Sequence, residues 1–281
     1  MLMNIYISNL TIKYKKFILG PINAILKPGL NVVLGPNGSG KTTFFRAIAG
    51  VLKPDSGGIR IDNSSSINNV VGYLPQEISF EESITVTALI KYLSNLLNIN
   101  KKILNDLINI FELNNYINNK VYELSSGMKR KLAIAVIIST KRPVLLLDEP
   151  FTGLDNRSLL QIIYVLRQLI EEKINIVISS HTMEFVYNVL PISSILILNK
   201  GKQLFFGNTK LLIEEARCRF YIGQSIESYV DGCNMYSVCG QPRIVCPCNN
   251  LESNCNYKNL FKDITIFDLY NCILAVKGDV E

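Results

Sequence analysis

Apolar positions alternate loosely along "MNIYISNLTI" (residues 3–12), which predicts a short strand, and "LNVVLG" (Leu30 to Gly35) predicts a second one ending in a glycine loop. "KTTFFRAIAGVL", from Lys41, has helical spacing, and Lys53-Pro54-Asp55-Ser56-Gly57-Gly58 predicts a turn. From about Glu77 to Thr140, Leu and Ile recur at helical spacing among many Asn and Lys, so this stretch predicts a mostly helical insertion. "PVLLLDEP" (143–150) predicts a buried strand running into two carboxylates. "NRSLLQIIYVLRQLIEEK" predicts an amphipathic helix, "INIVISS" another buried strand, and "SSILILNKGKQLFFGN" a hairpin turning at Lys200-Gly201. Strands alternating with helices point to an α/β sheet, part of it parallel.

The composition shifts near Ala216, and all seven cysteines lie beyond it: Cys218, Cys233, Cys239, Cys246, Cys248, Cys255 and Cys272. The expected division is residues 1–215 as one unit, with its helical part at about 77–140, and residues 216–281 as a small second unit of unknown role. The net charge of +6 is carried by the first part, since residues 216–281 hold six Lys/Arg against seven Asp/Glu. Such an excess suits an anionic ligand such as a nucleotide, or an anionic membrane surface. No basic block or aromatic-interleaved basic patch appears, so no nucleic-acid partner is expected. No apolar run approaches the roughly 18 residues a membrane-spanning helix needs. The N-terminal basic residues follow an interrupted apolar run, the reverse of a signal peptide. A cytoplasmic location is expected, with any membrane-spanning part supplied by a partner.

"GPNGSGKT" (Gly35 to Thr42) fits the phosphate-loop pattern G-x-x-x-x-G-K-[ST], with an apolar strand before it and a helix after it. Glycines let backbone N–H groups converge on phosphate, and a helix N-terminus adds partial positive charge. Candidate nucleotide contacts are therefore Gly35, Pro36, Asn37, Gly38, Ser39, Gly40, Lys41, Thr42 and Thr43. Lys41 would reach the β- and γ-phosphates, and the Thr42 hydroxyl would hold Mg²⁺. Asp148 ends its apolar strand and is a second candidate for the Mg²⁺ shell, with Glu149 beside it as candidate general base for an attacking water. The lone histidine, His181 in "ISSHT", reads in isolation as a structural residue.

Over roughly residues 3–215 the sequence resembles the ATP-binding-cassette (ABC) ATPases, with several motifs in that family's order. Tyr14 in "LTIKYKKF" matches the aromatic that stacks on adenine. Gln76 in "VGYLPQE" matches the Q-loop glutamine, which joins the Mg²⁺/γ-phosphate site to the helical insertion. "LSSGM" (Leu124 to Met128) matches the family signature, Asp155 in "GLD" the D-loop, and His181 the switch histidine that contacts the γ-phosphate. The resemblance implies a P-loop NTPase fold: a RecA-like α/β core with an antiparallel β part and a helical subdomain, followed here by a small C-terminal α+β appendage. It also implies ATP and Mg²⁺ as cofactors, with catalytic roles for Lys41, Gln76, Glu149 and His181 and metal contacts from Thr42, Gln76 and Asp148. In this family two subunits meet head to tail, each nucleotide touching the phosphate loop of one and the signature of the other. Ser125 and Gly127 would thus serve the partner's nucleotide. Ser126 replaces the usual signature glycine, which is harmless where φ is negative and harmful where it is positive.

The partners implied are a second copy or a homologous ATPase subunit, and a separate transmembrane permease met by residues 77–115 on the inner face of the membrane. "LPQEISFEESITVTAL" resembles the branch that exports drugs or peptides. A soluble member of the family, for example one acting in iron–sulfur assembly, is the alternative. Leu124 follows Lys41 by only 83 positions, which leaves no room for the long coiled coil of DNA-repair relatives. Buried thiols, disulfides and a metal site all remain open for the cysteines, which lack the paired spacing of zinc modules.

Overall fold

The computed structural model describes residues 2–14, 16–62, 64, 66–180, 190–212, 220–224, 234–238, 241–247, 270 and 273–274. Strands β1 (Ile5–Tyr14), β2 (Phe17–Leu26) and β3 (Gly29–Leu34) lead into helix α1 (Lys41–Ile48). Strand β4 (Ser56–Ile61), a single helical turn α2 (Ile67–Val70) and β5 (Val71–Leu74) follow. The chain is then helical through α3 (Val86–Leu97), α4 (Lys101–Ile110) and α5 (Ser126–Ser139). Strand β6 (Val144–Asp148), helix α6 (Asn156–Glu171), β7 (Asn175–Ser180), β8 (Ile192–Asn199) and β9 (Lys202–Gly207) come next.

The central sheet runs β5-β6-β7-β3-β8-β9, parallel except for β9. Its strands are apolar on both faces, as a parallel sheet covered on both sides requires. Leu30, Val32, Leu145, Leu147, Ile176 and Ile178 belong to the core shared with α3 to α6. Val33, Val144, Leu146 and Val177 belong to the other core, shared with α1 and the antiparallel sheet β2-β1-β4. Phe44 and Phe45 of α1 are fully buried in this second core. Burial of side chains this size contributes about 1.5–3 kcal/mol each.

A buried amide network joins the two sheets. Asn31 donates to the Asn175 side chain (2.9 Å), and Asn175 donates to the carbonyls of Met3 and Leu26 (2.9 Å each). Ser194 donates to Asn31 Oδ1 at 2.7 Å. Both asparagines are wholly buried, so the network holds them only because each polar group has a partner.

The hairpin turns as expected: β8 and β9 pair antiparallel, and Lys200 and Gly201 both have positive φ. The turn predicted over Lys53–Gly58 ends earlier, because Ser56 already begins β4 and pairs with Thr11 of β1. Gly57 is the reason. Its φ is +73°, and a Cβ there would lie 2.1 Å from the Asn9 carbonyl oxygen, so the close approach of the two strands needs glycine. Beyond the expected boundary at residue 215, which lies outside the described residues, β10 (Phe220–Gln224), β11 (Asn234–Val238) and β12 (Gln241–Pro247) form an antiparallel sheet in the order β10-β12-β11. Tyr270 and Ile273 return to the core that holds α5 and β3. Of the cysteines, only Cys246 falls within a described element; Cys218, Cys233, Cys239, Cys248, Cys255 and Cys272 lie outside the described residues.

Candidate functional site

The loop between β3 and α1 wraps over the C-terminal end of the central sheet. Gly35 is required there: a Cβ would lie 2.3 Å from Ser39 Oγ and 2.4 Å from the Leu198 carbonyl oxygen. Gly40 caps α1 in the left-handed conformation, so the free N–H groups at the start of α1 face the loop. Asn37, Ser39, Lys41, Thr42 and Thr43 line a cleft of about 380 Å³ together with Gln76 and Glu149.

Lys41 is buried, with Nζ donating to the Gly35 carbonyl at 2.7 Å and lying 3.5 Å from Glu149 Oε1. Burial pushes its pKa down, and the charges of Glu149 and Asp148 oppose that shift. Asp148 shifts the other way. Burial raises its pKa, the Ser179 and Thr42 hydroxyls pull it back, the adjacent Glu149 charge adds to the rise and Lys41 opposes it. Glu149 is nearly buried and adopts φ +51°, a left-handed conformation uncommon for a residue with a side chain.

Among the described residues, one oxygen of Asp148, Oδ2, is buried without a hydrogen-bond partner, as is Ser39 Oγ. A buried carboxylate oxygen without a partner, on a residue that also interacts with the Thr42 hydroxyl, suits a hard, oxygen-seeking cation such as Mg²⁺, because Mg²⁺ takes one or two protein oxygens and completes its shell with phosphate and water. Thr42 and Asp148 could hold it, and Gln76 lines the same cleft as Thr42.

The other expected residues fall in two places. Tyr14 is 46% exposed beside the cleft-lining Phe17, with ring centroids 6.5 Å apart. Ser125 and Asp155 serve as N-caps, accepting from the backbone N–H groups of Met128 (3.2 Å) and Ser158 (2.7 Å). The Ser158 bonds and the nearby Lys131 charge hold the Asp155 carboxyl below the usual range, with the Ser158 backbone bond the largest cause. Gly127 packs near the Gly153 carbonyl, and neither it nor Ser125 nor Asp155 lines the cleft. Ser126 is the first residue of α5 and is absent from the positive-φ residues, so the serine sits there without backbone strain. His181 lies outside the described residues.

Two residues of the site have no counterpart among the sequence candidates. Phe17 forms a wall of the cleft. Ser179 accepts the Glu149 backbone N–H at 2.8 Å and donates to Asp148 Oδ1. The "ISSHT" stretch contains that serine two positions before the histidine.

Comparison with known proteins agrees with this geometry. The ABC transporter family matches residues 19–152. A putative ABC transporter ATP-binding protein of Pyrococcus horikoshii, PH0132, is 34% identical over 213 residues, covering 71% of this chain and 80% of the relative. The probable multidrug ABC transporter ATP-binding protein YbhF of Escherichia coli is 29% identical over 215 residues, which are 73% of this chain and 37% of YbhF. Among solved structures, cbiO1 from Clostridium perfringens, part of the ABC transporter complex cbiONQ, aligns with TM-score 0.61 and 26% identity, covering 75% of this chain and 90% of cbiO1. This chain belongs to the ABC transporter family, as an ATP-binding subunit with ATPase activity.

Proposed function

We propose that this chain pairs with a second copy, or with a homologous subunit, around two Mg-ATP, and that the pair drives a separate membrane permease in the direction of export from the cytoplasmic face. The observation that carries this reading is a division of labour. Lys41, Gln76 and Glu149 share one cleft, while Ser125, Gly127 and Asp155 are not part of its lining. In a head-to-tail pair the start of α5 would meet the partner's γ-phosphate, with Ser125 and the backbone N–H of Gly127 as donors. Lys41 would hold the β- and γ-phosphates, Thr42 and Asp148 the Mg²⁺, and Glu149 would take the proton of the attacking water, with His181 orienting it. Tyr14 and Phe17 offer an aromatic surface for the adenine.

A stripe on α3 supports a permease partner. Ala88, Tyr92 and Leu96 are exposed at four-residue intervals, Tyr92 at 61% and Leu96 at 65%. Among the described residues no helix is long and apolar enough to cross a membrane. The cbiO1 neighbour is part of the ABC transporter complex cbiONQ, and YbhF is named as a probable multidrug transporter protein, which fits the resemblance to the drug- or peptide-exporting branch. Capture of the protein from its own cells in mild detergent, followed by mass spectrometry, tests the reading. A stoichiometric polytopic membrane protein supports it, and a soluble assembly partner in its place contradicts it.

A further inference from the structure

The segment that carries Gln76 is held by the helix that begins at the signature. Residues 76–81 make no backbone–backbone hydrogen bond among the described residues. Two consecutive cations of α5 hold this stretch instead, one at its first residue and one at the residue just after it. Lys129 pairs with Glu82 at 2.6 Å, at the surface. Arg130 donates from one terminal nitrogen to the Gln76 carbonyl at 2.7 Å. Its other terminal nitrogen is buried with no hydrogen-bond partner among the described residues. Burial lowers the Arg130 pKa, opposed by the charges of Asp148 and Glu149, so the guanidinium lies within reach of the field of the carboxylate pair.

We propose that Arg130 is a positioning residue for ATP hydrolysis: it fixes the Gln76 backbone at the cleft and ties it to the helix whose first turn is capped by Ser125. Five residues of helix, about 7.5 Å, separate Arg130 from Ser125, and a helix transmits displacement along its axis with little loss. A shift of Gln76 toward an arriving γ-phosphate therefore moves the N-terminus of α5, the surface offered to the partner's nucleotide. Arginine suits the task better than lysine, since its rigid planar fork fixes the direction of the N–H held on the carbonyl. A buried guanidinium nitrogen without a partner is costly, and the cost is relieved in a closed state where an acceptor reaches it.

The inference rests on the reading of Gln76 and Glu149 as catalytic groups, and the test separates the two. Steady-state Mg-ATP turnover is measured for the full chain, for Arg130→Met and Arg130→Lys, and for Glu149→Gln, together with the thermal unfolding of each. Arg130→Met is expected to lower kcat about tenfold or more with KM for ATP within about threefold, because the phosphate loop is untouched while Gln76 is misplaced. Arg130→Lys keeps a donor for the Gln76 carbonyl and is expected to regain at least about a third of wild-type kcat. A purely structural role would lower the unfolding temperature and leave kcat per folded molecule unchanged. Wild-type kcat in Arg130→Met, a loss confined to KM, or a lysine variant no better than the methionine one would each overturn the proposal. If Arg130→Met does not fold, Arg130→Lys decides alone, by the same criterion on kcat. Wild-type turnover in Glu149→Gln would instead sink the reading of the catalytic groups, whatever Arg130 does.

Discussion

Ser179 accepts the backbone N–H of Glu149 at 2.8 Å, and its own hydroxyl proton goes to Asp148. One buried side chain at the end of β7 thus orients both acids at the end of β6, across the parallel pairing of Asp148 with Ser179. It also supports the left-handed backbone at Glu149. Ser179→Ala leaves a buried N–H and a buried carboxylate each short of a partner. It should cost about 1–3 kcal/mol of stability, read by denaturant unfolding, and lower kcat about tenfold through misplacement of the acids. Unchanged kcat in a folded Ser179→Ala would show that the hydroxyl does not position them.

The Asn31–Asn175 network should matter for stability alone. Asn175→Ala removes the donors to Met3 and Leu26 and the acceptor for Asn31. The expected loss is about 3 kcal/mol, since buried groups are left unpaired, with turnover per folded molecule unchanged. Stability measured by urea unfolding, set beside turnover in the same samples, checks both halves of the expectation.

Tyr270 gives a pH signature for the return of the chain to the core. Burial, with the Glu149 charge adding to it, raises this phenol from 10.0 to about 12. The neutral phenol therefore contributes stability that is fully present below the unfolded pKa of 10.0 and is lost as pH rises to about 12. Tyr270→Phe lacks that titration. The stability of the wild type minus that of Tyr270→Phe should be flat below pH 10 and should have fallen by about 1.4 kcal/mol at pH 11. Urea unfolding of both proteins at pH 8, 9 and 11 measures it, and a constant difference would contradict burial of the phenol.

The exposed stripe of α3 should serve coupling and not chemistry. Tyr92→Asp with Leu96→Asp is expected to keep basal ATPase activity within about twofold, since surface changes remote from the cleft have small effects. The same variant should lose the permease in the detergent capture. Retention of the membrane partner would mean that the stripe is not the contact.

The phosphate loop and the strand ending in Asp148 and Glu149 are legible in sequence because each joins a local pattern to a motif of fixed spacing. β2 is not, because Gly20 and Pro21 interrupt its apolar positions; it lies at a sheet edge, where a missing N–H costs no ladder bond. β4 hides behind Gly57 and Gly58, which read as a turn until the approach of Asn9 explains them. Ser179 and Phe17 escape for another reason. Their roles come from what the tertiary fold places beside them, Asp148 for one and the glycine loop for the other. Arg130 is hidden in the same way, as one cation among several on α5 until the Gln76 carbonyl is seen against it.

The most direct measurement is the mass in solution of Glu149→Gln with and without Mg-ATP, by light scattering on a size-exclusion column. Removing the base should cut turnover by about 10²–10⁴-fold while leaving the phosphate loop and the α5 terminus intact. A nucleotide held between two subunits predicts a monomer without ATP, a particle of twice the monomer mass with Mg-ATP, and loss of that particle when Lys41→Ala is added. A Glu149→Gln chain that binds Mg-ATP and stays monomeric would contradict the head-to-tail pair.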